Sequence, residues 1–307
     1  MQIRQDAPGP STRPRIPRMI QENCPICGGA AAGTVGVKDG LRVLRCANCT
    51  VQYSERAPEV SQLSEIYNKA YFHGSRTGYP AYEADESLHR ARARGYLQDL
   101  IAHTPSTGSL LDVGCATGFF LDEARQAGWK VRGCEVSEWA ATFAQQRFGL
   151  DVVMAPFPTP LLGPQQYDAV TFLNVFEQLP DPHGAERILR DMVVPGGLLA
   201  LETWDVDALV ARVSGMKWHK YHPHETPIYL NRQSLATLFA PEHWTLVEYR
   251  ARTKWITLAH GLHALGLAAH PTRNGGPPRH SLRDRVGRIS LPYHLGDLVW
   301  AVLRRRS

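Results

Sequence analysis

Residues 110–120 join a short apolar run to a helical pattern through a loop that contains two glycines. The apolar run ends at Val113, and from Phe119 onward the apolar side chains recur at helical spacing. Gly114 and Gly118 allow the backbone to turn tightly and to approach a ligand closely. Such a loop between a buried strand and a helix is typical of nucleoside sites in doubly wound folds.

An acidic residue at the end of the next predicted strand narrows the choice of ligand. Glu135 lies 21 residues after Gly114 and follows the strand predicted over 130–134. A carboxylate at this place can accept hydrogen bonds from two ribose hydroxyls. The loop contains no lysine of the Walker type, and Leu121 stands where a dinucleotide fingerprint has its third glycine. The residues therefore favour a nucleoside site over a phosphate-binding loop.

Four cysteines near the start of the chain have the spacing of a metal site. Two Cys-x-x-Cys pairs are separated by 18 residues, and Asp39-Gly40 between them is typical of a hairpin turn. Four thiolates in this pattern favour one closed structural Zn²⁺ site over free cysteines or a redox pair. We expect a zinc ribbon over residues 21–56, whose folding depends on the metal. The predicted ligands are Cys24, Cys27, Cys46 and Cys49.

Strands and helices alternate beyond residue 85, which indicates how the loop and the acid are positioned. Repeated strand–helix units predict an α/β fold with a doubly wound, mainly parallel Rossmann-like sheet, and ligands bind at the carboxyl ends of its strands. The predicted strands are 109–113, 130–134, 151–154, 167–173, 198–203 and 296–304, and the predicted helices are 85–103, 117–127, 137–148 and 184–192.

Three other segments lack this alternation. Residues 1–20 are rich in proline and charge and are expected to be a disordered leader. An insertion at about 258–290 is expected to form a lid-like helix over the acceptor, with a packed surface helix as the alternative. The linker 57–84 follows the ribbon, with a helix predicted over 61–70. The aromatic rings of this region can pack the ribbon against the main domain or cap a pocket: Tyr53, Tyr67, Tyr71, Phe72, Tyr79 and Tyr82.

Composition, charge and the apolar stretches argue against a nucleic-acid-binding or membrane-spanning protein. The 307 residues are 43% hydrophobic and 21% charged, as in an ordinary globular protein, and the net charge of +5 comes largely from the two tails. The ribbon hairpin contains only Lys38 and Arg42 before its end and no aromatic residue, which argues against nucleic-acid binding. The longest apolar stretch, 255–269, is too short to span a bilayer. With no signal peptide, a cytoplasmic location is expected.

The order of motifs resembles that of class I S-adenosylmethionine-dependent methyltransferases. Asp112-x-Gly114-x-Ala116-x-Gly118 followed by Glu135 is similar to their motif I and the acid that follows it. Further segments are similar to the family's fourth strand, its "LEHLPDP" loop and its Pro-Gly-Gly turn. The ribbon and two later segments are similar to a subgroup with an N-terminal four-cysteine zinc ribbon. These stretches are 166–170, 176–182, 195–197, 217–219 and 223–229.

The resemblance implies roles for specific residues. Asp112 and the loop, with Gly114, Cys115, Ala116 and Gly118, would hold the methionine part of S-adenosylmethionine, and Glu135 would bind the ribose. Residues beside these strands would flank the adenine or face the transferred methyl group: Val136, Phe157, Asn174 and Val175. The fold that it implies places the last predicted strand, 296–304, as an antiparallel edge of the sheet.

Candidates for a general base lie beyond the fourth strand. They are Glu177, His219, His224 and Glu225, because histidine and carboxylate side chains usually take this role. Gln178 and Thr226 stand where the family usually has histidine, so the base has moved, the acceptor needs none, or activity is reduced. His183 and His222 are further candidates, although both are expected to be surface residues. A second metal site among the histidines is disfavoured because Pro223 interrupts them.

The predicted function is S-adenosylmethionine-dependent methylation of a small molecule. A sugar, a polyketide or a quinone-like metabolite, methylated at oxygen or carbon, fits this class. One alternative is an RNA methyltransferase that uses its ribbon to recognise the substrate. The other is a non-catalytic protein that binds the cofactor, which the neutral residues Gln178 and Thr226 motivate. The sequence does not define the acceptor or the oligomeric state.

Overall fold

The computed structural model describes residues 18–73, 82–104, 106–257 and 290–307. Predictions for most of the leader, for Tyr79 and for most of the insertion lie outside these residues. The strands are β1 (Arg18–Ile20), β2 (Ala31–Lys38), β3 (Leu41–Cys46), β4 (Gln52–Ser54), β5 (Arg56–Pro58), β6 (Ser109–Val113), β7 (Lys130–Glu135), β8 (Val152–Met154), β9 (Tyr167–Leu173), β10 (Val193–Trp204), β11 (Ile228–Tyr229), β12 (Trp244–Ala251), β13 (Lys254–Thr257), β14 (Ser290–Tyr293) and β15 (Leu298–Arg305).

The longer helices begin with residues that satisfy free backbone amides. Ser137 accepts a hydrogen bond from the Ala140 amide before α5, and Asp181 accepts one from the Gly184 amide before α6. The helices are α1 (Leu63–Ile66), α2 (Lys69–Phe72), α3 (Glu86–Ile101), α4 (Phe119–Gln126), α5 (Glu138–Phe148), α6 (Pro182–Met192), α7 (Leu209–Ser214) and α8 (Arg232–Leu238).

The main sheet has the order β12-β15-β10-β9-β6-β7-β8 in the described part of the chain. The pairs from β10 through β9, β6 and β7 to β8 are parallel, which confirms the predicted doubly wound α/β fold. The chain leaves β6 toward β7 on one side and returns to β9 on the other. The loop after β6 therefore lies at the topological switch point, where ligands bind in such sheets.

The sheet ends in antiparallel strands beyond β10, as expected, but the order of these strands differs from the prediction. The last strand, β15, pairs antiparallel with β10 and with β12, so it lies inside the sheet. The edge strand is β12, which the sequence patterns did not identify. Trp300 at the middle of β15 is fully buried, as expected for a strand covered on both sides. The prediction that 296–304 forms the edge was therefore wrong.

Alternating side chains of the central strands separate two hydrophobic cores. Leu110 of β6 pairs with Ala169 of β9, and both contribute to the core beneath α3, α4 and α5. The next residues, Leu111 and Val170, are also paired and face the opposite core with α6 and α8. These side chains are fully buried, which is why β6 and β9 read as continuous apolar runs rather than as alternating ones.

The ribbon packs on the main sheet and shares a core with it. Its hairpin is β2–β3, with Asp39 and Gly40 in left-handed conformations at the predicted turn. The ribbon sheet has the order β11-β4-β3-β2, so it is completed by β11, which lies in the chain between two strands of the main sheet. Ile26 and Val51 belong to the same buried cluster as α6 and α8. The described contacts therefore join the ribbon and the main domain through both apolar packing and strand pairing.

The linker departs from the predicted single helix. The predicted helix 61–70 is instead a 3₁₀ turn followed by α1 and α2, which are separated at Tyr67 and Asn68. The Asn68 side chain accepts a hydrogen bond from the Ala70 amide, so Asn68 caps the start of α2. An asparagine side chain that binds a nearby backbone amide in this way competes with the continuation of a helix. In the described residues no helix is both long and apolar enough to cross a membrane.

Candidate cofactor and acceptor site

A cavity with a volume of about 250 Å³ opens at the carboxyl ends of β6, β7 and β9. Nine of the ten residues predicted to bind the cofactor line it, and the exception is Gly118, which instead precedes α4. The cavity thus brings together side chains from four separate stretches of the chain. The nine are Asp112, Gly114, Cys115, Ala116, Glu135, Val136, Phe157, Asn174 and Val175.

The loop after β6 is held in a left-handed conformation. Gly114 has φ +73°, and a Cβ atom there would lie 2.4 Å from Cγ2 of Val175. Ala116 has φ +48°, a value that costs an alanine about 1 kcal/mol. These conformations open the loop toward the cavity. Glycine at position 114 is therefore required both by the backbone and by the close approach of Val175.

Glu135 connects this loop to the end of β7. One carboxylate oxygen accepts a hydrogen bond from the Ala116 amide at 2.8 Å, and the other accepts one from the Ser137 amide at 2.8 Å. Burial raises the pKa of Glu135, against the opposing effect of these two amides. Each oxygen keeps a further lone pair, so the carboxylate can still accept hydrogen bonds from a ligand in the cavity.

Asp112 lies at the floor of the same cavity. Its side chain is 2% exposed and accepts a hydrogen bond from the Thr171 hydroxyl at 2.6 Å. Burial raises its pKa to about 8, and the Thr171 hydrogen bond opposes that rise. A cationic group of a bound ligand would favour the ionised carboxylate, because an opposite charge nearby lowers the pKa of an acid.

Asn174, immediately after β9, is held in place by a buried acid. Its side-chain amide donates a hydrogen bond to Glu202, which also accepts one from the Tyr96 hydroxyl at 2.7 Å. Asn174 has φ +59°, a conformation that asparagine tolerates better than most residues. Its Oδ1 atom is buried and has no hydrogen-bond partner in the described structure. This acceptor belongs to a residue that lines the cavity and is available to a ligand that donates a hydrogen bond.

Glu177 is one of two predicted base candidates that line the cavity, and His222 is the other. Glu177 is 4% exposed, and its Oε2 atom accepts a hydrogen bond from the Thr203 hydroxyl at 3.1 Å. Burial raises its pKa to about 7, so it can exchange a proton near neutral pH. Gln178 also lines the cavity and donates a hydrogen bond to the Asn174 carbonyl oxygen at 3.0 Å. Gln178, which stands where the family usually has histidine, therefore helps to position the loop after β9.

The other predicted bases lie elsewhere. His219 is exposed, with its ring 5.3 Å from that of Trp204. The His224 side chain contacts the Asp39 carbonyl oxygen of the ribbon turn at 2.8 Å. The backbone oxygen of Glu225 accepts a hydrogen bond from the Tyr67 hydroxyl at 3.1 Å. Among the residues that line the described cavity, none of these three is present.

Three further residues of the same segment line the cavity instead. Lys220 is half-buried, and burial lowers its pKa to about 8. His222 was expected at the surface, but burial lowers its pKa to about 4 and leaves it neutral at pH 7. Thr226 also faces the cavity. The segment has no helical or strand periodicity, so the sequence did not indicate which of its side chains face the cavity.

Aromatic rings from the linker and α3 form one wall of the cavity. Tyr82 stacks on His89 with ring centroids 3.9 Å apart, and it also lies parallel to Phe119. The sequence left open whether the aromatic rings pack the ribbon against the main domain or cap a pocket, and the described rings divide between these two roles. Tyr53 instead packs in the core that the ribbon shares with the main sheet, and the rings that line the cavity are Tyr67, Tyr71, Phe72 and Tyr82.

The four ribbon cysteines converge as predicted. Their sulfur atoms all lie within 4.8 Å of one another, with Cys24 and Cys49 3.5 Å apart and Cys27 and Cys46 3.4 Å apart. The amides of Ile26 and Asn48 each point at a cysteine sulfur at 3.3 Å. A compact set of four sulfurs with backbone donors fits the tetrahedral thiolate coordination of Zn²⁺.

Comparison with known protein families identifies the family of this chain. A family profile described as a methyltransferase domain matches residues 85–249, more than half of the chain. The chain therefore belongs to this methyltransferase domain family, as its motifs predicted.

Individual relatives match only part of the chain. It is 34% identical over 100 residues to a ubiquinone biosynthesis O-methyltransferase from Pseudomonas entomophila, a match that covers 31% of this chain and 43% of that protein. The corresponding enzyme from Bordetella avium is 32% identical over 100 residues, covering 31% and 42%. The chain thus spans less than half the length of these relatives. A crystal structure of a SAM-dependent methyltransferase from Archaeoglobus fulgidus has a TM-score of 0.48 at 16% identity and covers 73% of this chain and 99% of that one.

Proposed function

We propose that this chain transfers the methyl group of S-adenosylmethionine to a small-molecule acceptor. The observation that carries the proposal is the geometry of Glu135, whose two oxygens are fixed by the Ala116 and Ser137 amides at the edge of the cavity. This arrangement suits a carboxylate that accepts the two ribose hydroxyls of a nucleoside. Asp112 and the Gly114 loop would hold the methionine part, and Val136 and Phe157 would flank the adenine.

Methyl transfer from a sulfonium requires little covalent chemistry from the protein. The cofactor supplies a reactive methyl group and a good leaving group when bound, and the chain supplies position and a site from which water is excluded. The aromatic wall and the buried strand ends serve that purpose. Glu177 would accept the acceptor's proton, because burial holds its pKa near 7 and Thr203 orients its carboxylate.

The names of the relatives favour oxygen as the methylated atom. Both are described as O-methyltransferases of ubiquinone biosynthesis, so a hydroxyl on a quinone-like or phenolic ring is the first acceptor to test. Sugars, polyketides and methylation at carbon remain within the proposal. The flat rings of Tyr67, Tyr71 and Tyr82 along the cavity suit a planar acceptor.

We also propose that the cysteine cluster holds one structural Zn²⁺ per chain. Its sulfurs are close enough to share one ion, and its surroundings belong to the core that joins the ribbon to the main sheet. The metal would then stabilise the ribbon, and with it the strand pairing between β4 and β11. The cytoplasmic location stays a prediction of the sequence.

The test is isothermal titration of the zinc-loaded chain with S-adenosylhomocysteine. Glu135→Gln is expected to weaken binding at least tenfold, because an amide oxygen can accept from only one of the two backbone amides and the NH₂ group would oppose the other. Glu138→Gln is the matched control, since Glu138 is exposed and lies outside the described lining. Absence of binding by the unaltered chain would overturn the proposal.

A second measurement addresses turnover. Transfer of a labelled methyl group to dihydroxybenzenes and dihydroxybenzoates is expected from the unaltered chain and is reduced in Glu177→Gln without loss of cofactor affinity. If Glu177→Gln keeps the full rate and pH profile, the base is another residue.

A further inference from the structure

Lys220 occupies an unusual place for a lysine. Its ammonium group lies 3.7 Å from the centroid of the Trp204 ring and lines the cavity that contains Glu177. In the described structure it makes no hydrogen bond and no ion pair. A lysine withdrawn from water is normally paired with an acid, so its partner is expected to come from outside the chain.

A second cation lines the same cavity. Arg92 of α3 is half-buried, and its charge is one of the influences that lower the pKa of Lys220. Two positive groups that act on each other across a partly dry cavity raise its affinity for an anion, because an anion between them relieves both the repulsion and the desolvation.

The acids around Lys220 do not neutralise it by contact. Glu202 is occupied by Tyr96 and Asn174, and its other oxygen lies 3.9 Å from the Arg252 guanidinium. Asp297 accepts hydrogen bonds from the Trp218 indole and the Tyr293 hydroxyl. Glu177 is the remaining acid near Lys220, and its raised pKa of about 7 leaves it partly protonated at neutral pH.

We propose that Lys220, Arg92 and Trp204 form a cationic subsite that binds a negatively charged group on the methyl acceptor, a carboxylate or a phosphate ester. This proposal rests on the proposed methyltransferase function and names the class of its acceptor. The indole of Trp204 holds the ammonium from one side, and the anion approaches from the cavity. Pairing would fix the acceptor near Glu177, and the tyrosines of the aromatic wall would cover an adjoining ring.

The probes are benzoate, phenyl phosphate and the neutral analogue benzamide, titrated into the chain saturated with S-adenosylhomocysteine and followed by ligand-observed NMR. At least one anion is expected to bind ten times more tightly than benzamide. A preference for benzoate identifies a carboxylate, and a preference for phenyl phosphate identifies a phosphate. Equal binding of all three probes, or no binding of either anion, overturns the proposal.

The variants separate charge from shape. Lys220→Met keeps the length of the side chain without its charge and is expected to reduce the preference to under threefold, whereas Lys220→Arg should retain it. Lys217→Met is the matched control, because Lys217 is exposed three residues earlier and lies outside the lining. If Lys220→Met and Arg92→Met both keep the full preference for the anion over benzamide, the anion binds elsewhere and the proposal is wrong.

Two readouts keep the proposals distinguishable. Affinity for S-adenosylhomocysteine tests the cofactor site alone, since Glu135 and the Gly114 loop are contributed by other strands. If the nucleoside fails to bind, the methyltransferase proposal fails, and the same probes titrated into the unliganded chain still decide the cationic subsite. Unchanged melting temperatures of the Lys220 variants confirm that they fold.

Discussion

The Ala116 amide donates a hydrogen bond of 2.8 Å to Glu135, so the loop after β6 is tied to the acid at the end of β7. Ala116 has φ +48°, and this hydrogen bond helps to hold it in that conformation. The two elements predicted to bind one nucleoside therefore also fix each other. A change in the loop is expected to alter the position of the carboxylate as well.

Gly114→Ala is expected to weaken S-adenosylhomocysteine binding at least tenfold and to reduce stability by about 1–3 kcal/mol. The alanine would have to adopt φ +73°, and its Cβ would lie 2.4 Å from a methyl group of Val175. Titration calorimetry and thermal denaturation measure the two effects.

Gly149→Ala is the control for this change. Gly149 has φ +62° at the end of α5, but a Cβ atom there would have no neighbouring atom within 4 Å, so the variant reports the backbone cost without the clash. Equal losses of cofactor affinity in both variants would contradict a specific role for Gly114.

Glu177→Gln is expected to change how stability depends on pH. The ordinary pKa of 4.5 rises to about 7 on burial, so between these values the unfolded chain loses a proton that the folded chain keeps. Folding stability therefore falls as the pH rises through this window, by up to about 3 kcal/mol for this group. Glutamine does not titrate, so the variant should gain stability relative to the unaltered chain between pH 5 and pH 8.

Denaturant unfolding at pH 5 and pH 8 measures that difference. Glu138→Gln provides the control, because it makes the same substitution at an exposed position. A stability difference between Glu177→Gln and the unaltered chain that is the same at both pH values would show that Glu177 is ionised in the fold.

Cys49→Ser is expected to abolish stoichiometric zinc, which metal analysis of the unaltered chain should find at about one ion per chain. The Cys49 sulfur lies 3.5 Å from that of Cys24, and both side chains are buried in the core shared with α6 and α8. Loss of the metal should therefore lower the melting temperature of the whole chain, rather than of the ribbon alone.

Cys134→Ser tests the specificity of that result. Cys134 is also buried, but it lies at the end of β7 and outside the four-sulfur cluster. This variant should retain its zinc. Retention of zinc by Cys49→Ser would disprove the proposed ligand set.

Tyr96→Phe is expected to cost about 1–3 kcal/mol, because it removes the hydroxyl that donates to the buried Glu202 carboxylate. The same change at Tyr53 is the control, since its buried hydroxyl has no hydrogen-bond partner in the described structure. Tyr53→Phe should be neutral or stabilising. Equal effects on the free energy of unfolding would show that the Tyr96 hydrogen bond contributes nothing.

Local patterns were sufficient to predict that the loop after β6 and Glu135 would meet at one cavity. The strand, the glycine turn and the helix of residues 109–127 depend on neighbours in the chain, and Glu135 follows from the length of one strand–helix–strand unit. The cysteine pairs are equally local, since each lies within one turn. The φ values and the residue spacing in these segments express short-range constraints, so the sequence by itself was sufficient for them.

The acceptor end depended on contacts between distant segments. Lys220 and Trp204 lie 3.7 Å apart, yet they are joined by an irregular segment with no periodicity that predicts which side chains face inward. The insertion of β15 between β10 and β12, and the pairing of β11 with the ribbon, are likewise long-range. The sequence determined the fold class, the glycine loop after β6 and the convergence of the four cysteines. Tertiary structure alone decided which charges meet in the cavity, because that depends on how the segments pack rather than on their local conformational preferences.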